Sequence, residues 1–199
     1  MTHLRHAAMV AALALFLATG TVAAKEALKA KDAPADETTG IAGGLRAMIQ
    51  AATVQEASRF REEWRSTTAD HAPHLDTISR VHRGQPVAIL IFYGGCAPKD
   101  ADSADVLARK VPCAARLDVR ITDPTGKTHT AINDEALSAG MPAAPDAMTQ
   151  LSPQELQITF DATDADGTYR IEATVDDPDN DRVLRIATTV ELLPDAPAP

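Results

Sequence analysis

TFDATDADGTYRIEATVDDPDNDRVLRIATTVEL, residues Thr159 to Leu192, reads as two long strands joined by a tight acidic turn. Along the first, Tyr169, Ile171, Ala173 and Val175 fall on one face and Arg170, Glu172 and Thr174 on the other, the period-two alternation of a sheet with one wet side. On the return strand Leu184, Ile186, Thr188, Val190 and Leu192 share a face. Between the two, DDPDND supplies Pro and Asx residues that stop a strand and favour a turn. Working upstream, ELQITFDA sets Leu156, Ile158 and Phe160 on one face, and AARLDVRITD alternates Leu117, Val119 and Ile121 ahead of the turn DPTG. PVAILIFY follows the turn RGQP and is apolar on both faces, as a central strand must be. After THTAIND, the passage EALSAGMPAAPDAMTQLSPQ has three prolines and no period, and reads as irregular.

The other end of the chain reads differently. MTHLRH carries Arg5, AAMVAALALFLATG is apolar throughout, and Val22 and Ala24 supply small residues where signal peptidase needs them, so residues 1–24 are expected to be a signal peptide cleaved after Ala24. The apolar run is about 14 residues against the ~20 a membrane-crossing helix needs, so no membrane insertion is expected after cleavage. Residues 25–40, KEALKAKDAPADETTG, are charged, poor in large apolar side chains and broken by Pro34, and read as a flexible tether. From Ile41 the residues Leu45, Met48 and Ala52 recur at helical spacing, and Ala57, Phe60 and Trp64 continue the stripe opposite Arg59, Arg61, Glu62 and Glu63. The spacing predicts an amphipathic helical lead-in over 41–75, with Gly43 and Gly44 weakening its first turn. Phe60 and Trp64 are expected to pack on the sheets. A sandwich over 76–194 and a disordered tail over 195–199 complete the expected organisation.

Charge and composition narrow the function. Loss of the signal removes only Arg5 from 19 Lys and Arg, leaving 18 against 28 Asp and Glu, about −10, which argues against nucleic acid or anionic lipid as a partner. Aromatic residues make up 4%, so the core must be built mainly from Val, Ile and Leu, which suits a small sandwich better than a ring-walled ligand pocket.

A strand, then DGTY at Asp166 to Tyr169, an alternating strand, a short hairpin and a final alternating strand resemble the last strands of the immunoglobulin-like β-sandwich domains of bacterial exported proteins. The resemblance covers Gln85 to Leu192. It implies a mainly β, antiparallel sandwich, here preceded by a helix, in which Tyr169 is the corner tyrosine whose hydroxyl bonds back to the preceding loop. The chain departs from antibody domains in two respects. Cys96 and Cys113 flank one loop instead of joining two sheets, and Trp64 lies upstream of the sandwich.

Three motifs bear on chemistry. DATDADG fails the EF-hand pattern, because aligning Asp164, Asp166 and Gly167 puts Ala162 and Ala173 at the first and last ligand positions. Asp176, Asp177, Asp179, Asn180 and Asp181 at the hairpin tip read as turn chemistry, with a calcium ion as the alternative. Cys96 and Cys113, seventeen apart without CxxC spacing in an exported chain, read as a structural disulfide. Pro73 spoils the shared face that His71 and His74 would need as ligands. Ser66, Ser79, Ser103 and Ser138 lack nucleophile-elbow glycines. The sequence therefore assigns no catalytic, cofactor-binding or metal residue. The expected function is an exported, non-enzymatic binding or accessory module of the periplasm or exterior, partnered by another envelope protein. A small-molecule or metal carrier using the long loops is the second reading, and a thiol enzyme on Cys96 the third.

Overall fold

The computed structural model describes residues 38–67, 73–96, 114–137, 141–142 and 149–195. The expected signal peptide, residues 25–37 of the tether, His71, Ser103, Cys113, Ser138 and residues 196–199 of the tail lie outside the described residues.

The two long strands after Asp166 form the centre of one sheet. Strand β10 (Gly167–Asp177) and strand β11 (Arg182–Leu192) pair antiparallel without a register shift from Gly167 opposite Leu192 to Asp177 opposite Arg182. On the far side of β10 come β5 (Arg116–Thr122) and then β6 (Thr128–Ala136), both antiparallel. On the far side of β11 the short β3 (Arg80–Val81) pairs in parallel. The other sheet runs β1 (Thr39–Ala42), β2 (Leu45–Thr53), β4 (Pro86–Gly94), β8 (Thr149–Leu151) and β7 (Met141–Pro142), with β9 (Leu156–Thr159) also pairing with β4; every pair in it is antiparallel.

The inner faces meet as period-two alternation requires. Leu45, Ile49, Val87, Ile89 and Ile91 from one sheet pack against Leu117, Val119, Ile171, Val175 and Ile186 from the other, all fully or almost fully buried. The described residues form a mainly β sandwich, antiparallel apart from β3, with one α-helix.

The helix is shorter and later than its sequence stripe suggests. Residues 41–53 are strand: Ile41 lies in β1, and Leu45, Ala47, Ile49 and Ala51 alternate inward along β2. The apparent helical spacing of Leu45, Met48 and Ala52 mixes residues from both faces of that strand, because Met48 and Ala52 face outward. Gly43 and Gly44 form a two-residue hairpin turn, with φ of 55° and 96°, where a side chain would strain the backbone. The tether reading overran as well, since Thr39 and Gly40 belong to β1. Helix α1 (Val54–Arg65) begins at Thr53, whose hydroxyl accepts from the Glu56 N–H at 3.1 Å, and residues 73–75 are not helical. The irregular passage also holds β7 and β8, and THTAIND belongs to β6.

Helix α1 explains why β4 is apolar on both faces. Ala57, Phe60 and Trp64 lie on the outer face of the first sheet over Ala52, Ala88, Leu90, Phe92 and Leu151, forming a second apolar layer. Phe60 and Trp64 therefore pack on the sheet as expected, with ring centroids 5.7 and 5.5 Å from Phe92.

Candidate functional site

The Tyr169 hydroxyl donates to the Ala165 carbonyl at 3.0 Å, four residues back in the preceding loop, and the ring packs 4.6 Å from that of Phe160. Burial pushes its phenol above the ordinary value. Cys96 is 4% exposed, follows the end of β4 and is not a free thiol.

The acidic hairpin tip does not gather its carboxylates. Asp177 is completely buried, ion-paired to Arg182, and takes both amide hydrogen bonds of Asn180 at 3.1 Å. Arg182 also donates to the Gly43 carbonyl at 2.8 Å, so Asp177 anchors one hairpin to another. The DATDADG loop is likewise bound up within the chain. Asp161 accepts from the Thr163 N–H and hydroxyl, which with the Asp164 N–H hold its carboxyl below the usual range, while Arg83 ion-pairs with Asp166 and donates to Asp164 O. His74 is exposed beside Asp76 at 3.3 Å, and His82 and His129 are exposed elsewhere. Among the described residues no group of three His, Cys, Asp or Glu side chains is placed to hold a metal.

Two surfaces do assemble, and neither follows from a motif. The first is the part of the first sheet's outer face that α1 leaves uncovered. A groove of about 430 Å³ runs beside the helix, with Met48, Phe60, Trp64, Leu75 and Phe92 supplying its apolar wall. It continues across Arg46 and Gly94 towards β1, the edge strand, where Ile41 is 72% exposed.

The second surface is a cleft of about 360 Å³ in the seam between the sheets. At one end of the seam Gly40 lets β1 lie directly on Leu184 and Ile186 of β11. At the other, β11 is covered by β3, with the Glu191 N–H donating to Ser79 O at 2.8 Å and the Leu193 N–H to Val81 O at 2.9 Å. Main-chain direction alternates along a strand, so Thr189 and Ala187 also point their N–H and C=O groups away from β10, but where β3 no longer runs. The cleft opens over these residues. Thr38, Thr77, Ser79 and Thr188 are among its lining residues, and Arg170, opposite Thr189 in the register, is its one ionisable lining residue among those described.

No family model and no curated protein matches the chain. Among solved structures, the chain is similar to the alkylpurine DNA glycosylase AlkC of Pseudomonas fluorescens bound to DNA containing an abasic site analog, at 15% identity over 58% of this chain and 28% of that one, TM-score 0.34. It is also similar to a family 123 glycoside hydrolase from Clostridium perfringens involved in glycolipid glycan hydrolysis, at 8% identity over 75% and 27%, TM-score 0.33. A third likeness is to AvmM, which catalyzes macrocyclization in alchivemycin A biosynthesis, at 9% identity over 82% and 100%, TM-score 0.27. The chain spans less than a third of the length of the first two. Scores this low do not define a shared fold.

Proposed function

We propose that this protein is an exported, non-enzymatic binding module of the cell envelope, with an immunoglobulin-like sandwich that engages another envelope protein through the uncovered outer face of its first sheet. The observation that supports it most is Ile41, 72% exposed on the strand that forms the sheet's edge among the described residues and opposite Arg46, which lines the extension of the groove beside Trp64. A lone exposed apolar residue is ordinary, but one on an open strand edge beside a groove offers both ladder hydrogen bonds and apolar area to a partner. The bond from Tyr169 to Ala165 favours the immunoglobulin-like kinship.

The experiment is site-specific photocrosslinking in the native host, with the reactive residue at position 41 and, as a control, at exposed Thr125 on the β5–β6 turn. A discrete adduct from position 41 alone, abolished by Met48→Asp, is the expected result. Identical adducts from both positions, or none, would reject the reading. N-terminal sequencing of the exported protein should begin at Lys25. Cys96 is proposed to pair with Cys113 across the intervening loop, so denatured, unreduced protein should contain no titratable thiol; such a crosslink is worth ~3 kcal/mol in the chain-entropy account. The buried and bonded state of Cys96 gives a thiol enzyme no support.

A further inference from the structure

We propose that the seam cleft is a second binding site, which takes the carboxylate-bearing end of an extended peptide as an added strand on the open edge of β11. The inference stands on the seam alone and requires no partner at the first sheet's outer face.

Three features converge on this ligand chemistry. The first is the strand edge itself. Beyond the part of β11 paired with β3, the residues Ala187 to Thr189 line the cleft and no described strand pairs with that edge, three residues or about 10 Å of strand at the usual rise per residue. Ala187 and Thr189 offer N–H and C=O groups there at the spacing of a peptide backbone, which an extended ligand answers and a compact one does not. The second is charge. Arg170 is the cleft's ionisable lining residue, and its Nη2 is buried with no hydrogen-bond partner among the described residues, 3.7 Å from Glu172. Glu172 lies closer to Arg185, and the nearby Glu191 bonds Arg80 at 3.0 Å. Glu172 also pairs with Arg185 and so does not serve Arg170 alone, and a planar guanidinium fork matches a carboxylate. The third is the wall. Thr38, Thr77 and Ser79, all residues with hydroxyls, line the rest of the cleft, so the ligand's outward amides meet a wall that is partly polar. The cleft's volume of about 360 Å³ accommodates a few residues, which fits a chain end better than a passing loop.

The shared chemistry, a carboxylate next to a strand-forming amide, has two sources: a free short peptide or the C-terminus of a larger protein. The test uses the isotope-labelled mature protein, followed by amide chemical shifts during titration with N-acetyl-Ala-Thr-Ala carrying a free carboxylate. Expected shifts centre on Ala187, Thr189 and Ser79. The C-terminal amide of the same peptide should bind at least tenfold more weakly, as should the free acid to an Arg170→Gln variant. Methylating the peptide's last amide nitrogen, which removes a ladder donor without touching the protein, should cause a comparable loss. Ile41→Asp should leave the titration unchanged, which separates failure of this site from failure of the sheet-face reading. A fusion of the same three residues to the C-terminus of an inert carrier binding as tightly as the free peptide would assign the site to protein tails; tighter binding of the free peptide would assign it to released peptides. Shifts absent from the seam, equal binding of acid and amide, or acetate matching the peptide would each overturn the proposal.

Discussion

β1 and β2 reverse through Gly43 and Gly44, both at positive φ, whereas β10 and β11 reverse through the 3-10 turn Pro178–Asn180 closed by Asp181 at φ 50°. The first turn relies on the absence of side chains and has little with which to hold itself. The second is held by side chains: a buried Asp177, the Asn180 amide and Arg182. The two lie at the same end of the sandwich, and Arg182 reaches from one to the Gly43 carbonyl of the other. A turn made of conformational freedom is thus fixed from outside by a turn made of specific hydrogen bonds. The glycine turn has a second external contact, since Gly95 at the end of β4 sits so close to the Gly44 carbonyl that no Cβ fits between them.

The largest expected effect lies at Arg182. Its removal leaves the fully buried Asp177 without its ion-pair partner, so Arg182→Ala should cost ~3–5 kcal/mol in denaturant unfolding, and Asp177→Asn with Arg182→Met should recover much of it. A single-variant loss below ~1 kcal/mol would mean that the two turns are independent. Next comes Gly95→Ala, set against Gly84→Ala. Both residues have almost the same φ, 77° and 76°, but an added methyl at Gly84 meets open space while one at Gly95 meets backbone. Each should lose ~1–2 kcal/mol to left-handed strain, and Gly95→Ala should lose clearly more; equal losses would remove the Gly44 contact from the account. The smallest effect lies at the opposite end of the β10–β11 hairpin. Tyr169→Phe should cost ~1 kcal/mol near neutral pH by leaving the Ala165 carbonyl without its donor. Because burial raises this phenol's folded-state pKa, its contribution is complete below the unfolded value near 10 and is lost as the pH rises through the folded one. Wild type and variant should therefore converge in alkaline melts; a constant gap would contradict that assignment.

The same contrast explains what the sequence disclosed. β10 and β11 were legible because each carries one wet and one dry face, so alternation alone assigns every residue. In β2 the outer face holds Met48 and Ala52, partly roofed by α1, and apolar residues on both sides of the strand imitate a helical stripe. The deciding signal was Gly43–Gly44 between two short runs, a hairpin cue that reads as a weak helix start when the neighbouring period is misjudged. β4 was recognisable as buried on both faces, but which layer covered its outer face depended on where the helix packed. The seam cleft could not be read at all. Its walls come from Thr38, Gln50, Ser79, Arg170 and Thr189, and only the crossing of β1 and β3 over different parts of β11 brings them together.

The Arg182 to Gly43 bond spans 139 positions of chain. The first two strands can form their hairpin early, but Leu45 and Ile49 gain their opposite layer only when the last strand arrives. Contacts this remote in sequence make folding slow, because a long loop must close before anything rewards the closure. At ordinary rates of synthesis the last strand follows the first by ~7–30 s, during which the second sheet lacks the strand that lies between β3 and β10. If the chain is exported, as proposed, that delay would suit passage in an unfolded state, because the strand that joins β3 to β10 is the last to arrive.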